Sequence, residues 1–302
     1  MTFAVQFSSI SGEIAALVER TGGAVVGVNG GNPWATSGIH WRPGIIVTAE
    51  EALARDEDLS VTLPGGRVVR ASLAGRDPST DVAVLRFEAD GLSVAGTAGT
   101  GDLRAGHLVL TVGSHQGAPV ASLGIVSFAG GAWESRRGGH IDGLIRLDLD
   151  LSPSAEGGTV VDAEGRVMGM AVFGPRRRVL AIPARTIDRV IDPLLAKGRI
   201  ARGYLGAGLQ RVELPISAQD RAAAGTRHGL LVVSVDTKGP ASAAGLRVGD
   251  IVLSWNGSAL KRVRELWRAL GPESVGTTVE LGLMRGDAPA SLQVTLSERP
   301  AA

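Results

Sequence analysis

The stretch Gly38-Ile39-His40-Trp41-Arg42-Pro43-Gly44-Ile45-Ile46-Val47-Thr48 holds two short apolar runs, 38–41 and 45–48, broken by a Pro-Gly pair. Runs of this length, rich in β-branched and aliphatic residues and bounded by Gly or Pro, are strand signals. The same pattern extends outward in both directions, at 24–28, 60–63, 82–87, 108–112, 124–128, 143–147, 159–161, 166–172 and 179–182. Many short strands separated by turn residues predict antiparallel barrels or a sandwich. An α/β fold would need a helix between successive strands, and none of the intervals has the length and periodicity for one.

Two amphipathic segments flank the strand series. Residues 11–20 read as a short helix capped by Ser11, with Glu13 in its first turn and Ile14, Leu17 and Val18 on one face. In 186–197, Ile187, Val190, Ile191, Leu194 and Leu195 recur at helical spacing, and Pro193 is expected to kink or divide that helix. The polar joint 198–203 then sets a domain boundary. Beyond it, 230–235, 251–255, 278–284 and 290–296 read as strands, with Asn256-Gly257 a hairpin turn and Val263, Leu266, Trp267 and Leu270 on one helix face. The organisation is therefore an N-terminal segment (1–22), a β domain (23–198) and a smaller second domain (203–302).

Composition limits the function classes. The chain has 302 residues, of which 44% are hydrophobic and 43 are Gly, so it can bury a sizeable core rich in tight turns. A net charge of +1 gives no general electrostatic case for nucleic acid or an anionic membrane, and Arg176-Arg177-Arg178 reads as a solvated loop tip. Cysteine is absent, which removes disulfides, thiolate metal sites and a cysteine nucleophile. Residues 1–10 lack a basic, then apolar, leader pattern, and no stretch is apolar for long enough to span a bilayer. The expectation is a soluble, cytoplasmic protein.

Several blocks of the sequence carry a pattern that no one of them carries alone. They are Gly44-Ile45-Ile46-Val47-Thr48-Ala49, Arg76-Asp77-Pro78-Ser79-Thr80-Asp81-Val82-Ala83-Val84-Leu85, Gly157-Gly158, Ala181-Ile182-Pro183, Arg202-Gly203-Tyr204-Leu205-Gly206, and the run from Gly239-Pro240-Ala241 to Gly249-Asp250-Ile251. Together these blocks resemble HtrA-type (Deg) serine proteases, and the resemblance covers nearly the whole chain in the family's order. It implies a mainly β protein, a trypsin-like double β-barrel followed by a PDZ domain. It also implies a His-Asp-Ser triad, of which Asp81 matches the aspartate. Glu51 stands at the histidine position, and Pro153-Ser154-Ala155-Glu156-Gly157-Gly158 puts Glu156 at the nucleophile position.

Triad chemistry needs a neutral imidazole that takes the hydroxyl proton and returns it to the leaving amine. Glu51 would meet Asp81 as a like charge, and attack by Glu156 would yield an anhydride. Loss of triad members costs on the order of 10⁴ to 10⁶ in kcat. None of His40, His107, His115, His140 and His228 has the sequence context of a displaced base, and Ser154 reads as a turn residue. Convergence of Glu51, Asp81 and Glu156 should raise at least one pKa. Alternatively, the trio could hold a divalent cation, act as a carboxylate acid–base pair, or be dispersed, with Glu156 turned away, paired with an arginine of 176–178, or bound by backbone N–H groups. No cofactor is implied.

The resemblance further implies that Tyr204, Leu205, Gly206 and Ala207 bind a ligand's carboxylate, with Val263, Leu266, Trp267 and Leu270 on the opposite wall of the groove. For most of those four, the plain alternative is domain core. Phe3 and Phe7 stand in the region where the family trimerises, so a homotrimer is expected. The leading expectation is a pseudoprotease that captures C-terminal or unfolded peptides and proteins as a chaperone-like holder, scaffold or regulator. The alternative is a serine-type or carboxylate-based endopeptidase with residual activity.

Overall fold

A computed structural model describes residues 2–97, 103–214 and 227–300, with side chains from residue 8 onward. The chain forms two units, 1–135 with 140–200, and 136–139 with 201–302. The first opens with helix α1 (Thr2–Gly22). Six strands follow: β1 (Val25–Asn29), β2 (Thr36–Arg42), β3 (Ile45–Thr48), β4 (Leu59–Thr62), β5 (Val68–Asp77) and β6 (Val82–Phe87). They close into an antiparallel barrel in the order β1-β2-β3-β6-β5-β4. Next come β7 (Leu108–His115), β8 (Ala118–Gly130) and the short pair β9 (Trp133–Glu134) and β10 (His140–Ile141). With β11 (Leu144–Asp148), β12 (Thr159–Val161), β13 (Val167–Phe173) and β14 (Val179–Pro183), a second barrel closes as β11-β14-β13-β12-β7-β8.

The core explains why these runs form strands. Val26, Val28, Ile46, Val61 and Leu85 fill the first barrel, and Val126, Val160 and Ala171 the second, each fully buried. Helix α2 (Ala184–Lys197) lies against this unit and buries Ile187, Val190, Ile191 and Leu194, each worth about 2 kcal/mol of transfer free energy.

Several expectations need correction. Helix α1 is twice the expected length, and Ser11 lies inside it rather than capping it, because packing on β7 and β8 supports the segment beyond its own propensity. Pro193 does not divide α2. The missing N–H removes the i−4 bond to the Arg189 carbonyl, and both residues lie on the exposed face, where water can take its place. Strand β5 escaped the apolar-run criterion because Arg70, Ser72 and Arg76 interrupt it.

In the second unit β15 (Gly203–Tyr204) pairs with β22 (Ser297–Glu298). The main sheet runs β16 (Ala207–Glu213), β17 (His228–Val235), β18 (Ile251–Trp255), β20 (Thr278–Arg285) and β21 (Ala288–Thr295), with β19 (Ser258–Ala259) beside β18. Helices α3 (Pro240–Ala243) and α4 (Val263–Ala269) complete it. Asn256 and Gly257 both have positive φ, as a two-residue hairpin turn requires. The core gathers Leu205, Leu230, Val232, Leu246, Val252, Leu266, Leu281 and Leu283. Beside it, buried Asp250 accepts the Arg247 N–H (2.8 Å) and two bonds from Arg285 (2.7 and 2.8 Å), which hold its carboxyl below the usual range.

Candidate functional site

The turn that carries Asp81 is built by Asp77. Its buried carboxylate accepts Ser79 N–H (3.0 Å), Ser79 Oγ (2.6 Å) and Thr80 Oγ1 (2.7 Å). This side-chain-to-backbone turn is the purpose of the Asp-Pro-Ser-Thr sequence. It delivers Asp81 at φ 58°, a left-handed conformation that Asp tolerates better than most residues. Asp81 then grips a second turn, the 3₁₀ segment Glu50–Ala52: its Oδ1 accepts Glu51 N–H (2.9 Å) and its carbonyl accepts Glu50 N–H (3.3 Å).

The two neighbouring glutamates take opposite places. Glu50 is buried and paired with Arg76 (2.6 Å), which also reaches Asp56 and the carbonyls of Glu50 and Leu53. Glu51, at the position matched to the catalytic base, has an exposed side chain. Asp81 therefore binds the backbone of the base position, not a side chain of it. Burial, opposed in part by the Glu51 N–H and reinforced by the charges of Glu51, Glu156 and Glu50, pushes the Asp81 carboxyl up to about 7.

Glu156 closes the 3₁₀ turn Pro153–Ala155. Its half-buried carboxylate accepts the Phe173 N–H of β13 (3.3 Å), and burial raises its pKa against that bond. Arg177 adds attraction to Glu156 while its guanidinium lies 4.6 Å over the Phe173 ring. The run 176–178 is exposed, as expected of a solvated loop tip, and Arg176 and Arg177 both have positive φ. The N–H of Glu156 turns toward Pro153 O (3.4 Å) and that of Ala155 to Ser152 O (2.8 Å).

Ser37, which sequence reading missed, fixes this loop. Fully buried on β2, it receives Ser114 N–H (2.8 Å) on Oγ and donates Oγ–H to Ser154 O (2.6 Å). Its N–H bonds Glu156 O (2.8 Å), and its carbonyl accepts Thr48 Oγ1 (2.7 Å). A Cβ on Gly157 (φ 82°) would come within 2.3 Å of Ser37 O, so only glycine fits there. A run of small residues at 35–38 was the only signal in the sequence, and it is not specific.

Among the described residues, no histidine hydrogen-bonds Asp81. His40 is buried with Nδ1 on Ser93 O (2.9 Å) and its ring edge-on to Phe87. His140 pairs with Glu134, His107 and His115 are exposed, and His228 lies in the second unit. Among the described residues, no group of three His, Cys, Asp or Glu side chains is placed to hold a metal ion.

In the second unit the expected carboxylate loop has a definite backbone. Leu205 is buried and its carbonyl accepts Ala241 N–H (2.8 Å). The Gly206 carbonyl accepts Asp236 N–H (2.8 Å), and Tyr204 Oη donates to Asp236 (3.0 Å). Gly206 has φ 77° and approaches Gly239 so closely that a Cβ would lie 3.1 Å from its Cα. In a trans peptide N–H and C=O point oppositely, so the N–H groups of Gly206 and Ala207 face away from these inward carbonyls. Of the helix residues, Leu266 is core, Val263 and Leu270 are partly buried against it, and Trp267 is 47% exposed. The tetrapeptide 136–139 joins this unit, where Arg202 donates to Gly138 O (2.6 Å). The side chains of Phe3 and Phe7 lie outside the described residues.

Residues 36–170 match the trypsin-like peptidase domain and residues 203–296 the PDZ domain. Relatives named "Probable periplasmic serine endoprotease DegP-like" include those of Bartonella henselae (32% identical over 85% of this chain) and Brucella suis (30% over 85%). This chain covers 52% and 51% of them, so it spans about half the length of the curated relatives it matches. Among solved structures, the serine endoprotease from Yersinia pestis has a TM-score of 0.71 at 26% identity, covering 94% of this chain and 97% of that one. The HtrA-type protease AlgWS227A with decapeptide has 0.75 at 23%, covering 95% and 97%.

These relatives overturn the cytoplasmic expectation, since they carry periplasmic names. A leader is an address read separately from the folded domain, and an oxidising compartment does not oblige a protein to contain cysteine. No helix among the described residues is long and apolar enough to cross a membrane. With two six-stranded barrels, a trypsin-like match and a PDZ match following in one order, the chain is HtrA-like, a trypsin-like peptidase domain followed by a PDZ domain.

Proposed function

We propose that this HtrA-type chain is a proteolytically silent member of its family that captures peptide chain ends in its PDZ domain. The observation that carries the first half is Glu156: the matched nucleophile is a carboxylate whose oxygen accepts the Phe173 N–H. Glu51 supplies no imidazole, and Asp81 accepts a backbone N–H where a triad aspartate would orient a histidine. The N–H of the nucleophile position itself turns to Pro153 O, which takes it from the role of an oxyanion donor.

Peptide capture is supported by the outward N–H groups of Gly206 and Ala207, a small anion-binding concavity, and by β16. That strand ends the main sheet and, among the described residues, pairs only with β17. A chain end seated on the loop can extend the sheet as a further strand. The solved relatives of this fold include HtrA-type proteases with bound decapeptide and tripeptide. Incubating the full chain with a fluorophosphonate probe and with casein tests silence: labelling or cleavage ends that half of the proposal. Titrating it with peptides bearing a free or an amidated C-terminus tests capture, which requires the free carboxylate.

A further inference from the structure

Resting on the peptide-capture reading above, we infer that the groove selects chain ends carrying carboxylates a few residues upstream of an apolar terminus. Helix α4 lies alongside β16, the open edge. At 100° per residue, Val263, Trp267 and Leu270 share one stripe beside the core residue Leu266. Arg264 and Arg268 follow next to Trp267 on its solvent side. Arg264, three residues before Trp267, neighbours it on the helix surface, and Arg268 continues the same solvent-side stripe one turn after Arg264. Arg211 stands on β16 itself and is exposed. Among the described residues, none of these three cations has an ion-pair partner.

The nearby acids do not neutralise the rim. Glu265 is spent on its own helix cap, accepting Lys261 N–H (2.6 Å) and Arg262 N–H (3.2 Å). Asp236 is held by Tyr204 Oη and Lys238 N–H in the loop. Glu213 sits at the far end of β16. Chain direction then fixes the order along the ligand. The end of α4 lies near the carboxylate loop, since a Cβ on Gly203 would meet Leu270 Cδ2 at 3.4 Å. The ligand's terminus therefore lies at the Leu270 end, and its upstream residues run toward Arg264 and Arg211. Trp267 and Val263 supply apolar contact between these points. An exposed Trp bordered by arginines is an anchor with a charged rim.

The test uses the full chain and fluorescence anisotropy with three ten-residue peptides ending in Val-Val. Their residues three to five from the terminus are acidic, the corresponding amides, or lysines. At about 20 mM salt the acidic peptide should bind about 3- to 20-fold more tightly than the amide peptide, and the lysine peptide more weakly than either. The preference should shrink toward unity in 0.5 M salt and in R264Q/R268Q. Equal affinity for the acidic and amide peptides overturns the selectivity but leaves capture standing. No binding of any free-ended peptide overturns capture itself. Displacement of the acidic peptide by a ten-nucleotide DNA strand at equal concentration would assign the rim to nucleic acid and refute the inference.

Discussion

Replacing Asp81 by Asn should stabilise this protein at alkaline pH, the reverse of what loss of a triad aspartate with an ionic partner would do. The folded-state carboxyl lies at about 7, against roughly 3.9 for an unfolded Asp. A group with a raised folded pKa contributes stability that is fully present below pH ~4 and is lost as pH rises through ~7. The gap of about three between the two pKa values corresponds to ~4 kcal/mol. One edge of Asp81 reaches solvent, so ~2 kcal/mol is the working magnitude. Asn is neutral throughout, its Oδ1 can still accept Glu51 N–H, and it tolerates φ 58°. A neutral amide also no longer meets the charges of Glu51 and Glu156 as an ionised neighbour. Urea denaturation of wild type and D81N at pH 4 and pH 8.5 measures the difference. D81N should gain on wild type by ~2 kcal/mol between the two pH values. Parallel behaviour, or a wild type that gains on D81N as pH rises, would show a stably ionised Asp81 and refute the reasoning.

Three further outcomes follow from the same geometry. Ser37→Ala removes Oγ from between Ser114 N–H and Ser154 O, leaving two buried groups unpaired, and should cost about 2–3 kcal/mol by urea denaturation. A loss under ~0.5 kcal/mol would mean that Ser37 does not lock the loop. The double replacement E51H/E156S restores residue types but leaves the turn at Pro153–Ala155, so casein cleavage should stay about 10²–10³-fold below that of an active relative assayed alongside; equal rates would disprove the misplaced donor. Asp250→Asn weakens the bonds to Arg285 and should lower Tm by about 3–8 °C at pH 7. Because the folded carboxyl lies below its usual range, that difference should vanish as pH falls below ~4 and through the folded value, which a pH series of melting curves reads directly.

Strand existence was readable because the barrel interiors demand aliphatic residues, and 45–48 or 82–87 can hardly be anything else. Strand extent was not: Arg70, Ser72 and Arg76 interrupt β5 and most of β8 is exposed or half-buried, so neither presents a continuous apolar run over its ten or thirteen residues. The turn chemistry of 77–81 was visible as a block, but its logic, Asp77 as the builder and Asp81 as the displayed residue, needed the hydrogen bonds. The Glu50-Glu51 pair shows the limit most clearly. Adjacent identical residues are equivalent to any pattern reading. In the fold Arg76, twenty-six residues away, draws Glu50 inward and leaves Glu51 on the surface.

That division also explains how Asp81 can be kept where base and nucleophile are not. Its oxygen holds the backbone of the Glu50–Ala52 turn, and its own backbone is bonded to Glu50 N–H. Neither contact uses the side chain at 51, so histidine or glutamate can stand there without disturbing the turn. Glu156 is constrained in the same way. Its carbonyl is tied to Ser37 N–H, while its side chain merely fills the space before Phe173 N–H. The Asp81 side chain holds a neighbouring turn, whereas at 51 and 156 main-chain atoms make the bonds that tie each turn to its neighbour.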